Sequence, residues 1–234
     1  LKGRVAIVTG GSRGIGKMIA TEFVKRGVRV YITARKAAPC LATAEELSQF
    51  GECIALPHNL AKNEDLDAFV DEVKNREDKL DILINNAGAA WMTPFDDFPE
   101  SGWDKVMNIN VKSVFFLTQR LAPLLRFGAS QEQPSKVINI ASIDGLRTPR
   151  LETYSYVASK AGLIGMTGLM AKRLIDDNII VNGIAPGLTQ TDLIAGTEAI
   201  PGYLERVAKR TPLGRIGEVA DLIPSIFHLL TDRW

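Results

Sequence analysis

Six short runs of β-branched and aliphatic residues, each followed by a longer stretch of helical character, leave few folds open to this chain. The runs are Val5–Thr9, Arg29–Thr33, Cys53–Leu56, Asp81–Asn85, Lys136–Ala141 and Ile179–Ile184. They are apolar nearly throughout instead of alternating, as strands are when helices cover both faces of a parallel sheet. Helical stretches fall at about 14–26, 41–50, 63–77, 103–127, 156–175 and 217–231. This alternation predicts a doubly wound, parallel α/β sheet with right-handed crossovers. No repeat, low-complexity tract or linker divides the chain, so 1–234 is expected to form a single domain. Its hydrophobic content of 46% can fill the core of such a domain.

Charge and cysteine usage remove several function classes. Lys and Arg number 28 against 27 Asp and Glu, a net charge of +1, which speaks against a nucleic-acid surface. No apolar run approaches the ~18 residues of a membrane span. Leu1–Arg4 lead straight into the first strand without a signal peptide, so a cytoplasmic location is expected. Cys40 and Cys53 form neither a disulfide framework nor a CxxC pair. With only His58 and His228 besides, no metal site is expected.

Two segments interrupt the alternation. Ala129–Pro134 reads as a surface turn. Gly187–Thr211, holding Gly196, Pro201 and Gly202, has only weak helical pattern. At that length, after a strand end, it reads as a lid over a site.

Directly after the first strand comes Thr9-Gly10-Gly11-Ser12-Arg13-Gly14-Ile15-Gly16, within which a helix begins. Such glycines permit a tight turn and a close backbone approach to a pyrophosphate held at the helix N-terminus. The TGxxxGxG spacing resembles that of the short-chain dehydrogenase/reductase family. The resemblance continues through Asn85-Asn86-Ala87-Gly88, Asn110 in Asn108-Ile109-Asn110-Val111, Ser142 at the end of the fifth strand, Tyr156 and Lys160 as YxxxK, and Pro186-Gly187 with Thr191 beyond. Within the family the nearest resemblance is to β-ketoacyl reductases of the rhamnolipid-associated type. It implies a Rossmann-like, three-layer αβα domain that transfers hydride between a nicotinamide cofactor and a carbonyl.

An NAD-preferring site carries an acid at the end of the second strand to bind the ribose 2′-OH. Here that strand ends Thr33-Ala34-Arg35-Lys36. Arg35 offers a planar cationic fork suited to a 2′-phosphate, and Arg13 lies where NADPH-preferring relatives also carry a base. Arg35 and Lys36 are otherwise a solvated loop; two cations converging where an anion is expected favour NADP. The resemblance assigns the cofactor to Gly10, Ser12, Arg13, Gly14, Ile15, Gly16, Arg35, Asn59, Leu60, Asn86, Ala87, Gly88, Tyr156, Lys160, Pro186, Gly187, Thr189 and Thr191. Asn59 replaces the usual adenine-binding Asp and keeps a carbonyl acceptor. Its neighbour His58 reads as a surface loop residue.

Carbonyl reduction needs a proton donor at the developing alkoxide. A phenol, ordinarily near pKa ~10, serves if it is made more acidic. Lys160, four residues after Tyr156, shares its helix face, and its ammonium is expected to stabilise phenolate. The resemblance implies that Ser142 holds the substrate oxygen and that Asn110 holds a water linked to Lys160. Tyr154 has Ala158 four residues on instead of lysine and reads as a packing or pocket residue. Asp144 and Arg147 either line the pocket or are solvated.

Gly162, Gly165 and Gly168 recur every third residue of the same helix, among apolar neighbours. Each costs about 1 kcal/mol against Ala in a helix interior. They mark a helix buried on more than one face, either within the chain or, as the family pairs it, across a dyad in a homodimer or homotetramer. Relatives continue into a seventh strand, and the chain 1–234 is expected to lack that last strand and tail. Two functions remain: an NADPH-dependent reductase of a small-molecule ketone or acyl substrate, and a catalytically silent NADP-binding partner. The complete Asn–Ser–Tyr–Lys set favours the enzyme.

Overall fold

The strands form as the apolar runs dictate: β1 (Val5–Thr9), β2 (Arg29–Thr33), β3 (Cys53–Ala55), β4 (Ile82–Asn85), β5 (Ser135–Ile140) and β6 (Ile179–Ile184). They make one parallel sheet in the order β3-β2-β1-β4-β5-β6. The computed structural model describes residues 1–191 and 200–231.

Every residue of β1, β4 and β5 is buried, because helices cover both faces. On one face Val5, Ile7, Leu83 and Val137 meet α3 (Asn63–Lys74), α5 (Ser113–Phe127) and α6 (Tyr154–Leu174) through Phe69, Leu121, Leu125 and Leu174. On the other, Val8, Ile84 and Ile138 meet α1 (Gly14–Val24) and α2 (Ala37–Leu47) through Ile19, Phe23 and Leu47. Each fully buried aliphatic side chain is worth roughly 1.5–3 kcal/mol. The result is the expected doubly wound α/β domain.

Strand order reverses between β1 and β4. In open parallel sheets this switch point opens a crevice beyond the carboxyl ends of the strands. Every motif singled out above on a strand end therefore lies on one rim.

Helical stretches depart from expectation in four places. Helix α2 starts four residues earlier than expected, because Pro39 falls in its first turn, where no N–H partner is needed. The stretch 103–127 is not one helix: α4 (Glu100–Met107) runs into a π turn at Asn108–Lys112 before α5. The segment 203–210, of weak pattern, forms helix α7 (Tyr203–Arg210), started by Gly202 at φ 64°. The last stretch divides into a 3-10 turn at Val219–Leu222 and α8 (Ile223–Leu229), with Pro224 in its first turn. Of the expected lid 187–211, residues 192–199 lie outside the described residues.

Helix α6 is not buried on more than one face within the chain. A side-chain carbon added at Gly162, Gly165 or Gly168 would meet nothing within 4 Å, and Leu169 is 70% exposed. Intramolecular packing therefore does not explain the glycines. Among the described residues no helix is long and apolar enough to cross a membrane.

Candidate active site

The rim is held together by Thr9. Its hydroxyl donates to Ile84 O (3.3 Å) and accepts from the backbone N–H groups of Asn86 and Ala87, both at 2.9 Å. The Asn86 amide returns a bond to Thr9 O at 2.9 Å. The glycine turn and the Asn86–Gly88 turn are thus fixed against each other. A side chain at Gly16 would bring its Cβ within 2.5 Å of Asn86 Nδ2. Gly10 sits at φ 66°, where L side chains are strained.

Helix α1 starts at Gly14, with no side-chain cap and no acidic residue in its first turn. Its N-terminal N–H groups and dipole suit an anion. Thr191 is packed beside this start, 3.5 Å from where a Gly14 Cβ would stand. Pro186 O and Leu188 O are tied to Ile143 N (3.0 Å) and Gly217 N (2.8 Å), and Thr189 bridges Gly217. Gly187 is exposed and Thr189 buried. Ser12 O accepts from Thr43 Oγ1 on α2 at 3.0 Å. Arg13 and Arg35 are exposed beside the turn and after β2, and Ile15 is half-buried against the core.

Beyond β3, Asn59 and Leu60 behave differently from each other. Leu60 is buried in the core. Asn59 donates its N–H to Asp65 Oδ2 (2.5 Å), while its side-chain carbonyl accepts weakly from Ala61 N (3.4 Å). His58 lies in the loop after β3 but is partly buried: its ring, 15% exposed, stands 2.8 Å from Asp65 Oδ1 and 3.2 Å from Glu72 Oε2. Both carboxyls are held below their ordinary values, where bonds from Asn59, His58 and Arg76 outweigh burial, the largest opposing influence.

Ser142, Tyr156, Lys160 and Asn110 meet at the ends of β4 and β5. Ser142 follows β5, is 7% exposed and accepts from Asp144 N at 3.2 Å. That bond occupies a lone pair, so its hydroxyl proton is left to donate elsewhere. Asp144 itself pairs with Arg147 at 3.6 Å. Lys160 is buried and donates to Ile140 O at 2.7 Å. Burial lowers its pKa to about 8. Asn110, in the π turn and 1% exposed, lies against the turn beyond β4.

One expectation fails within the chain's own geometry. The Tyr156 phenol lies above its ordinary pKa, not below it. Burial is the main cause and Asp144 adds to it, against the neighbouring Ser142 hydroxyl. Lys160 Nζ, 5.6 Å from the centre of the Tyr156 ring, is aimed at the Ile140 carbonyl instead. Tyr154 points elsewhere, into edge contacts with Phe95 and Phe98 at 5.6 and 5.7 Å.

Two residues of this rim have connections that the sequence alone does not show. Thr9 was visible as the first letter of its motif, but its bonds to β4 were not. Ser159 lies inside YxxxK at a position the pattern leaves open.

Residues 4–199 match the short chain dehydrogenase family. The chain belongs to that family. It is an oxidoreductase of the short-chain type. It is 42% identical over 222 residues to the rhamnolipids biosynthesis 3-oxoacyl-[acyl-carrier-protein] reductase of Pseudomonas aeruginosa, covering 95% of this chain and 87% of that protein. It is 35% identical to the 2-dehydro-3-deoxy-D-gluconate 5-dehydrogenase of Escherichia coli, covering 98% and 88%. Among solved structures, the Pseudomonas aeruginosa RhlG/NADP active-site complex superposes with a TM-score of 0.93 at 41% identity, covering 98% of this chain and 90% of that one. Among the described residues, no group of three or more His, Cys, Asp or Glu is placed to hold a metal ion. Cys40 and Cys53 are buried free thiols, pushed by burial up to about 11 and about 12.

Proposed function

We propose that this protein reduces the ketone of a 3-oxoacyl thioester to the secondary alcohol, with NADPH as the cofactor. The observation that carries this reading is the meeting of Ser142, Tyr156 and Lys160 on the same rim of the sheet as the uncapped start of α1. The 42% identity to a 3-oxoacyl reductase supports the substrate class. Bound NADPH would supply the hydride. The α1 N-terminus, Gly10–Gly16, Asn86–Gly88 and Pro186–Thr191 would hold it, with Leu60 backbone and Asn59 at the adenine and Arg13 and Arg35 at the 2′-phosphate.

The chain's own residues manage the oxygen. Ser142 Oγ–H donates to the carbonyl oxygen and orients it. Tyr156 gives its phenolic proton to that oxygen as negative charge develops there. A phenol held above its ordinary pKa stays protonated at neutral pH but is a weaker acid, so its transfer needs a positive charge near the phenolate. The Lys160 ammonium, fixed by Ile140 O, is the nearby positive charge that receives the resulting phenolate.

A pH dependence follows. Lys160 titrates at about 8, so the charged, proton-holding site is fully populated below that pH and lost as pH rises through it. NADPH oxidation with a 3-oxoacyl thioester is expected to show a kcat flat below about pH 8 and falling about tenfold per unit above. A kcat flat to pH 10 would contradict the role given to Lys160.

We also infer a homodimer through the outward faces of α5 and α6. Phe115 and Leu169 are 39% and 70% exposed, and Gly162, Gly165 and Gly168 leave room for a second backbone. Large exposed apolar side chains along a glycine-lined helix fit close helix packing. Light scattering of Leu169→Glu is expected to give a monomer where the native chain gives a dimer. Equal masses for the two would contradict the interface.

A further inference from the structure

Building on the roles just given to Asn110, Tyr156 and Lys160, we propose that Ser159 is a positioning residue for the reaction. Its hydroxyl joins the Asn110 amide, and through it the turn beyond β4, to helix α6 between Tyr156 and Lys160.

Ser159 is completely buried. It accepts from Asn110 Nδ2 at 2.9 Å and donates to Tyr156 O at 2.7 Å. A serine has one proton to give, and here it goes to the Tyr156 carbonyl. Toward Asn110 the hydroxyl can therefore only accept. The rest of the Asn110 amide is spent on Ala89, with Nδ2 donating to Ala89 O and Oδ1 accepting from Ala89 N, both at 2.9 Å.

The chain of bonds thus has one direction, from Asn110 through Ser159 to Tyr156 O. It also fixes which way the amide faces. A flipped amide would oppose oxygen to Ala89 O and to Ser159 Oγ, and nitrogen to Ala89 N. Three elements are held by this single group: the Gly88–Ala89 turn, the π turn at Asn108–Lys112 and the first turns of α6.

The neighbouring space is tight. A Cβ at Gly88 would stand 3.2 Å from Asn110 Oδ1 and 3.8 Å from Lys160 Nζ. Ser159 immediately precedes Lys160 and bonds the carbonyl of Tyr156, so movement of α6 against the π turn displaces ammonium and phenol together. Misplacement of reacting groups by fractions of an ångström is costly to rate even when binding survives. Deleting the hydroxyl also leaves one Asn110 proton buried without an acceptor.

A double-mutant cycle tests this. Ser159→Ala is expected to lower kcat for 3-oxoacyl reduction about tenfold, with little change in KM for NADPH, and to move the high-pH limb. If Ser159 acts through Asn110, the same substitution made in Asn110→Ala should cost less than about twofold. Ser159→Cys keeps the volume with a weak acceptor; it should fall between the two, and it replaces the alanine variant in the cycle if that variant melts near assay temperature. An equal loss in both backgrounds, or a Ser159→Ala enzyme with unchanged kcat and pH profile, would overturn the proposal. Tyr156→Phe is measured alongside. Should that variant keep full activity, the assignment of the catalytic set fails, whatever Ser159 shows.

Discussion

Tyr156→Phe is expected to lower kcat by about 10²–10⁴-fold, the usual worth of a general acid, while NADPH affinity stays close to native. The ring stays and only the hydroxyl goes, so packing at the head of α6 should survive. Tyr154→Phe provides the comparison. That ring stands in edge contact with Phe95 and Phe98, and its phenol is raised chiefly by burial and by Glu152. Its loss should change kcat by less than about threefold. Initial rates with both variants, with NADPH binding followed by fluorescence, decide the matter. Should Tyr154→Phe be the damaging change and Tyr156→Phe the mild one, the two roles would be exchanged.

Arg35→Asp should change cofactor choice. A charge-assisted bond to a phosphate is worth roughly 1.5–3 kcal/mol, and the new carboxylate adds repulsion. The expected result is a fall in kcat/KM for NADPH of about 10–100-fold, with NADH changed little. The mechanism is electrostatic, so the effect should shrink at high salt, because Arg35 is exposed. An NADPH/NADH ratio shifted by less than about twofold would remove Arg35 from the site.

The sheet was legible because its strands are nearly uninterrupted apolar runs, and strand limits at β1, β2 and β6 coincide with those runs. What was not legible has local causes. Asn-Ile-Asn-Val-Lys has no residue that breaks a helix, so nothing in it announces the π turn that carries Asn110. Tyr203–Arg210 is two turns long, too short for its period to stand out between Gly202 and Gly214. The glycines of α6 were visible, but whether a neighbour inside the chain approached them was a tertiary fact.

Within the site, the motif residues were readable and their connections were not. Thr9 and Ser159 look interchangeable with other small residues until β4 and the π turn come within 3 Å of them. His58 looked solvated because its partners, Asp65 and Glu72, lie seven and fourteen residues further on. The Tyr156 pKa went the other way from the spacing argument. An i, i+4 pair shares a helix face, but the lysine's direction was set by a backbone carbonyl of β5.

The activity proposed for this rim is reduction of a 3-oxoacyl carbonyl with NADPH. Its most direct test is NADPH oxidation at 340 nm by the purified native chain, offered 3-oxoacyl thioesters, simple ketones and sugar ketones in turn, with products identified. Stoichiometric formation of 3-hydroxyacyl thioester is expected, at a kcat/KM at least about tenfold above that for sugar ketones, with loss of turnover in Tyr156→Phe. NADPH binding without oxidation of any of these carbonyls would contradict it and mark the chain as a silent binder.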